Sequence, residues 1–120
     1  MELLWLSACE GSNPSSRIIE MEKIKTNYGT IEYFKTKEAG FNIETIKPKK
    51  GFKCYLKRSV GILYVLEGKA KSNKGLLKKG DLIKFKPREK IIINNIYNKP
   101  FKYIGVDTPP AKKGDVVWLK

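Results

Sequence analysis

The most informative part of the sequence runs from Ile62 to Pro87 and reads ILYVLEGKAKSNKGLLKKGDLIKFKP. It contains two short β-prone runs, and a glycine stands where each run meets a turn, Gly68 after the first and Gly80 before the second. Glycine tolerates the positive φ that a tight reversal between strands requires. Pro87 ends the second run, because proline cannot donate a hydrogen bond to a β-ladder. The stretch therefore predicts two strands bounded by tight turns.

The same alternation of short runs and turn residues extends through the rest of the chain from Ile31. No run has the 3.6-residue period of an amphipathic helix, and the spacing of about 8 to 12 residues between runs is typical of a β-sandwich or jelly roll. The sequence thus predicts an all-β fold. The predicted strands are Thr30–Phe34, Phe41–Ile46, Phe52–Lys57, Ile62–Leu66, Lys69–Lys71, Asp81–Lys86, Lys90–Asn94 and Phe101–Asp107.

One phrase occurs twice, since the Lys-Lys-Gly-Asp at residues 78–81 returns at residues 112–115, and alternating apolar residues follow both copies. We interpret it as one turn-plus-strand unit used twice. Asp81 and Asp115 directly follow the turn glycines, and aspartate readily hydrogen-bonds its own backbone in such turns. Both are therefore expected to stabilise turns.

Size and charge limit the possible functions. The 120 residues are enough for one compact domain, and no stretch approaches the roughly 20 apolar residues of a membrane helix, so no membrane association is expected. Lys and Arg number 25 against 12 Asp and Glu, which gives a net charge of +13 and favours acidic partners in general. Only three of the 25 are Arg, and the lysines are spread along almost every segment. This pattern is typical of a solvated surface and argues against a nucleic-acid partner.

The sequence contains no histidine. Its absence excludes Ser-His-Asp and Cys-His nucleophile systems, a histidine general base and histidine-ligated metal sites. Cys9 and Cys54 form no CxxC pair, so no zinc or thioredoxin-like motif is present. Two isolated cysteines do not indicate a disulfide scaffold, and we expect a reducing cytoplasmic location.

The composition changes abruptly near residue 20. Residues 1–20 contain no Lys, whereas the following hundred residues contain 22. Gly11-Ser12-Asn13-Pro14 resembles a translated reading frame of the T-arm of a tRNA gene, which suggests a start site placed too far upstream. Leu6-Ser7-Ala8-Cys9 resembles a lipobox, but no basic segment precedes it, as a secretion signal requires. We expect residues 1–20 to be an extension and residues 21–120 to form the single domain.

The order of motifs from about Phe41 to Pro110 resembles a small single-domain cupin. The resemblance implies a double-stranded β-helix, a jelly-roll barrel whose two sheets enclose a small-molecule pocket, and homodimers are common among barrels of this size. The residues that carry it are Tyr64-Val65-Leu66-Glu67-Gly68, Leu77-Lys78-Lys79-Gly80-Asp81-Leu82-Ile83, Pro87, Asn95, Pro100 and Val106-Asp107-Thr108-Pro109-Pro110.

The metal ligands of the resembled family are missing. Aligned on Gly68 and Gly80, the family's three histidines and one glutamate fall on Tyr55, Lys57, Gly61 and Ile91, while the family asparagine falls on Asn95. None of the four can replace its counterpart in a divalent metal site. We therefore expect neither a metal nor another cofactor.

Residues two apart on a strand share a face, so a barrel pocket would combine Tyr55, Lys57, Ile91, Ile93 and Asn95. One cation, one phenol, one amide and an apolar wall suit a small anionic or hydroxylated ligand, such as a sugar or a carboxylate. The alternative is that these side chains only fill the core or extend to solvent. Tyr64 and Tyr103 are expected to fill the core.

Three functions follow from this interpretation. The first is a metal-free cupin domain that binds a small anionic or hydroxylated ligand. The second is a metal-independent sugar isomerase or epimerase, in which Lys57 or Tyr55 would act as acid or base. The third is a basic nucleic-acid-binding barrel, which would need lysines concentrated on one face beside exposed aromatic rings.

Overall fold

The computed structural model describes residues 20–112 and 114–120, and all of their regular secondary structure is β-strand. No helix in these two ranges is long and apolar enough to span a membrane. The strands are β1 (Glu20–Lys25), β2 (Gly29–Lys35), β3 (Gly40–Ile46), β4 (Gly51–Leu56), β5 (Val60–Glu67), β6 (Lys69–Ser72), β7 (Gly75–Lys78), β8 (Leu82–Phe85), β9 (Ile91–Asn94), β10 (Phe101–Thr108) and β11 (Val116–Trp118).

The strands form two antiparallel sheets. The large sheet has six strands in the order β1-β2-β3-β10-β5-β8, and the small sheet has five in the order β11-β4-β9-β6-β7. Several neighbouring strands are far apart in sequence, and β10 lies between β3 and β5. This arrangement confirms the predicted all-β, two-sheet architecture.

The core fills one end of the space between the sheets. Ile46 of β3 lies opposite Phe101 of β10, and Val65 of β5 and Ile93 of β9 are fully buried as well. Complete burial of such a side chain stabilises the fold by about 1.5 to 3 kcal/mol. Further along the same strands the inward positions hold smaller or polar residues, so that end is less densely filled.

The eight predicted strands are all present, and none of their ends differs from the prediction by more than two residues. The strand after the second Lys-Lys-Gly-Asp phrase is β11. Sequence reasoning missed β1 and β7: β1 is mostly charged, and β7 has only four residues. Glu20 is the first residue of β1 and pairs with Lys35, so this strand begins one residue before the expected domain boundary. Residues 1–19 lie outside the described residues.

The repeated turn works as predicted. Asp81 Oδ2 accepts a hydrogen bond from Lys78 N at 2.9 Å, and Asp115 Oδ2 accepts one from Lys112 N at 2.8 Å. Asp115 Oδ2 also accepts hydrogen bonds from Nε and Nη2 of Arg58, at 3.0 and 2.8 Å. The second turn is thereby attached to the segment that follows β4.

Candidate functional site

A cavity of about 150 Å³ lies between the sheets, beyond the filled end of the core. Cavities of roughly this volume admit a molecule the size of one six-membered ring. The small sheet contributes only apolar residues to its wall, whereas the large sheet contributes both polar and apolar ones.

The small sheet forms the apolar wall. Phe52, Cys54 and Leu56 alternate along β4 and point inward, Ile91 adds to them from β9, and Val116 and Trp118 close the side from β11. The Trp118 ring lies 5.9 Å from the Phe52 ring and is 53% exposed, so it stands between the cavity and solvent.

The large sheet forms the polar wall. Its inward positions at this level include hydroxyl, amide and carboxyl groups beside the apolar Ile31, Leu63 and Phe85. The filled end of β3 and β10 carries Ile46 and Phe101 instead. The polar residues are Tyr33 of β2, Asn42 and Glu44 of β3, and Tyr103 and Asp107 of β10.

Glu44 is almost fully buried and accepts three hydrogen bonds. Tyr28 Oη donates to Oε1 at 3.3 Å, Asn42 Nδ2 donates to Oε2, and Tyr103 donates a third bond. Burial raises the pKa of the Glu44 carboxyl to about 7, although the bonds from Tyr103 and Tyr28 act in the opposite direction. A carboxyl with this pKa can hold or release a proton near neutral pH.

Asp107 is a second buried carboxyl on the same wall. Its Oδ2 accepts hydrogen bonds from Ala111 N and from Tyr33 Oη, the latter at 3.3 Å. Burial raises the pKa of Asp107, and the bonds from Ala111 and Tyr33 partly oppose the effect. The wall thus presents two carboxyl groups, both held in place by neighbouring donors.

Two glycines make room for these polar side chains. A Cβ on Gly105 would lie 2.5 Å from Asn42 Oδ1, and a Cβ on Gly40 would overlap Tyr33 Oη. Gly105 pairs with Asn42 across β10 and β3, and Gly40 pairs with Asp107. The Asn42 side chain therefore packs directly on the Gly105 backbone, and the Tyr33 hydroxyl packs on the Gly40 backbone.

The orientation expected for Tyr55 and Lys57 needs correction. Cys54 and Leu56 face the cavity, so alternation places Tyr55 on the outer side of the small sheet. Strand β4 ends at Leu56, and Lys57 lies in the bend that follows, with its side chain exposed. The alignment on Gly68 placed β4 one residue out of register, and this offset exchanged its two faces.

The other three expected pocket residues share one inward face, as alternation predicted, but only Ile91 lines the cavity. Ile93 belongs to the fully buried core. Asn95 is also buried, and its side-chain nitrogen donates to the carbonyls of Ile46, Lys47 and Lys99 at 2.8 to 3.3 Å. Its amide therefore fixes the loops at the closed end of the barrel.

The polar wall was missed because its residues look like ordinary strand positions. Tyr103 is buried as expected, yet it belongs to the Glu44 cluster. Tyr64, also expected in the core, points outward and is 43% exposed, because its neighbours Leu63 and Val65 take the inward positions. Asn42 and Glu44 share a strand face with the buried Ile46. Two polar residues on the same face as a core residue were the one feature of the sequence that could have indicated a polar cavity wall.

The cavity does not provide the donors of a metal site. Two of the four positions that align with the family's metal ligands line the cavity, and they hold Gly61 and Ile91. Neither residue has a side-chain atom that can bind a metal. Burial raises the pKa of the Cys54 thiol to about 12, so the thiol stays protonated. Within residues 20–112 and 114–120 no three His, Cys, Asp or Glu side chains are grouped to hold a metal ion.

Protein purified without an affinity tag is expected to contain no stoichiometric transition metal. The physical reason is the donor set, a protonated thiol and two carboxyls that already accept hydrogen bonds, with no imidazole in the sequence. Elemental analysis checks this expectation. Close to one equivalent of iron, manganese, nickel or zinc per chain would contradict it.

Solved structures with the same architecture are double-stranded β-helix proteins. An uncharacterised Klebsiella pneumoniae protein with a double-stranded β-helix domain has a TM-score of 0.70 at 17% identity, and the match covers 81% of this chain and 89% of that one. Ectoine synthase from P. lautus gives 0.66 at 16% identity, over 82% and 80% of the two chains. Pac13 from Streptomyces, described as a nucleoside dehydratase, gives 0.68 at 14% identity, over 87% and 88%.

These similarities identify the fold, and the chain has the double-stranded β-helix of the cupins. The double-stranded β-helix fold that the motifs around Gly68 and Gly80 implied is thereby confirmed. No family model and no curated protein matches the sequence. The function of the protein must therefore be inferred from the cavity itself.

Proposed function

We propose that this protein binds a small, neutral, hydroxyl-bearing molecule in the barrel cavity without a bound metal. The observation that carries the proposal is the pairing of an acceptor-rich wall, centred on Glu44 and Asp107, with an apolar wall that includes Phe52 and Trp118. Hydroxyl groups of a ligand can donate to the carboxyl oxygens, and the opposite face of its ring can pack against the aromatic side chains.

The charge of the cavity favours a neutral ligand over an anion. Among the described residues that line it none is a Lys or an Arg, despite the net charge of +13. An anion would lose its hydration next to two carboxyl groups, and no Lys or Arg among these lining residues would pair with it, because Lys35 acts on Asp107 from outside the lining. The sequence left open an anionic or a hydroxylated ligand, and the anionic one depended on Lys57. Because Lys57 lies outside the cavity, we retain the hydroxylated ligand.

A thermal-shift panel tests the proposal with matched pairs, such as a neutral hexose and the corresponding uronic acid. A ligand present at about 100 times its Kd adds about 2.7 kcal/mol to the stability of the folded state, which corresponds to several degrees of melting temperature. We expect a rise with neutral members and none with their carboxylates. A panel in which only the carboxylates raise the melting temperature, or in which no member does, would overturn the proposal.

One observation favours a second function, a metal-independent acid-base enzyme of the isomerase or epimerase type. Glu44 has a pKa of about 7 and accepts hydrogen bonds from Tyr28 and Tyr103, so it could take up and return a proton at neutral pH. A ligand found in the panel would then exchange a carbon-bound hydrogen for deuterium in D₂O, and Glu44→Gln would abolish the exchange. Binding without any exchange would leave the binding function and exclude the enzymatic one.

A further inference from the structure

The outer face of the small sheet concentrates positive charge. The five strands of this sheet contain four lysines and no Asp or Glu. Their sequence neighbours Cys54, Ala70 and Leu77 are buried, so alternation directs all four lysines outward. We call this set the lysine face, and its members are Lys53 of β4, Lys69 and Lys71 of β6, and Lys78 of β7.

The charges of the lysine face are not balanced by neighbouring carboxylates. The strands of the large sheet carry six acidic residues beside five lysines, whereas those of the small sheet carry lysines alone. Within residues 20–112 and 114–120 the ion pairs join other residues, Arg58 to Asp115 and Lys74 to Glu89. Lys69 and Lys78 lie directly opposite each other on β6 and β7, where like charges repel. An anionic partner would relieve this repulsion.

Two further side chains on the same face can contact a nucleotide base. Tyr55 lies two residues from Lys53 on β4, points to the same side and is partly exposed. Asn94 of β9 pairs with Lys71, and its exposed side chain lies against the Gly51 backbone. An aromatic ring can stack on any base, and an amide can donate and accept hydrogen bonds at a base edge.

Folding gathers lysines that are separated in the sequence. Their spread along the chain argued against a nucleic-acid partner, but the pairing of β4 with β9 and of β9 with β6 brings them onto one surface. The four neighbouring strands β4, β9, β6 and β7 span about 14 Å at about 4.8 Å per step. This width fits about four nucleotides at roughly 3.4 Å each, which is the lower end of the site size of small barrels that bind single strands.

The composition of the face favours a single strand over a duplex or a membrane. In a duplex the bases stack on each other, so their faces are out of reach of Tyr55. At a lipid surface the Asn94 amide would lose its hydration without gaining a hydrogen-bond partner. A single strand offers phosphates to the lysines and unstacked bases to Tyr55 and Asn94.

We propose that the lysine face binds single-stranded nucleic acid, with its lysines contacting phosphates and Tyr55 stacking on a base. The barrel cavity lies on the inner side of the small sheet. Nucleic acid on the outer side therefore leaves the cavity free for its own ligand.

Fluorescence anisotropy with a labelled oligothymidine of about 16 nucleotides tests the proposal through two charge-matched double variants. One variant combines Lys69→Gln with Lys71→Gln on the lysine face. The other combines Lys23→Gln with Lys102→Gln in the large sheet, where both lysines lie opposite glutamates. We expect the first to weaken binding about tenfold and the second to change it less than about twofold.

The salt dependence of binding separates direct phosphate contacts from general attraction. Each lysine that contacts a phosphate of a single strand contributes about 0.7 to the slope of log K against log salt concentration. The lysine-face variant should therefore lower the magnitude of this slope by about 1.4, and the large-sheet variant should leave it unchanged.

A tyrosine pair tests the stacking contact. Tyr55→Ala is expected to weaken oligothymidine binding about fivefold or more, since one stacked base is worth at least about that factor. Tyr64→Ala is the control, because Tyr64 is 43% exposed on the outer face of the large sheet. Circular dichroism of all four variants should show the β-fold of the parent protein.

Phosphatidylserine vesicles and polyglutamate serve as the competing anionic partners. We expect the parent protein to bind the oligothymidine more tightly than either of them. Absence of oligothymidine binding, tighter binding to the vesicles or to polyglutamate, or equal losses of affinity in the two double variants would overturn the proposal.

Discussion

Replacement of Glu44 by Gln is expected to remove most of the pH dependence of stability near neutrality. The folded-state pKa of about 7 lies above the ordinary value of 4.5, so the folded protein holds this proton more tightly than the unfolded chain. The corresponding stabilisation is complete below about pH 4.5 and is lost as the pH rises to about 7. Since one pKa unit is worth about 1.4 kcal/mol, the loss is on the order of 3 kcal/mol.

Glutamine cannot ionise, so the Glu44→Gln variant should be more stable than the parent protein at about pH 8 and should lose much less stability between about pH 5 and pH 8. Its amide oxygen can still accept one of the bonds from Tyr28 and Asn42. Ligand affinity should fall about tenfold or more, because a charged acceptor forms the stronger hydrogen bond. A residue whose replacement raises stability and lowers binding is typical of a functional site.

Urea denaturation at several pH values measures the stability effect, and titration with a ligand from the panel measures the binding effect. Glu38→Gln is the control, because Glu38 is exposed in a turn outside the cavity. If Glu44→Gln and the parent protein lost the same stability between about pH 5 and pH 8, burial would not hold the Glu44 carboxyl protonated in the folded protein.

A second large effect is expected at the turn between β5 and β6. Gly68 has φ +81° and lies so close to Pro100 that an added Cβ would overlap the Pro100 carbonyl oxygen. Gly68→Ala combines a left-handed backbone, which costs about 1 to 2 kcal/mol, with overpacking against backbone, which costs about 1 to 3 kcal/mol. We expect a total loss of about 3 kcal/mol or more.

Gly80 supplies the matched control. Its φ is +92°, and a Cβ there would meet no atom within 4 Å, so Gly80→Ala should show the backbone cost alone, about 1 to 2 kcal/mol. Guanidinium denaturation of both variants gives the two values. Equal losses at the two positions would mean that the turn does not approach the Pro100 carbonyl closely.

These two glycines also show why most of the fold was predictable from sequence. Each stands where a strand must turn, only glycine adopts the required φ at low cost, and the aspartate after Gly80 bonds its own turn. Such signals are local, so they appear directly in the sequence. Strand β1 gave no comparable signal because its mostly charged residues have little β-character of their own, and it is held by its pairing with β2.

The candidate site was less predictable because it depends on register. A one-residue slip in β4 exchanges the two faces, so the expected Tyr55 and Lys57 gave way to Cys54 and Leu56. Glu44 and Asp107 lie 63 positions apart in the printed sequence, and only the pairing of β3 with β10 brings their strands together. The local sequence around Glu44 does not reveal that Tyr28 and Tyr103 bond it.

A crystal structure of the protein with the best neutral ligand from the panel would show directly where that ligand binds. We expect the ligand to lie in the barrel cavity, with a hydroxyl group within hydrogen-bond distance of Glu44 or Asp107 and its ring against Phe52 and Trp118. No metal should lie beside it. A ligand bound on the outer side of the small sheet, beside Tyr55 and Lys57, or a metal-bound ligand in the cavity, would rule out metal-free binding of a hydroxylated ligand between the two walls.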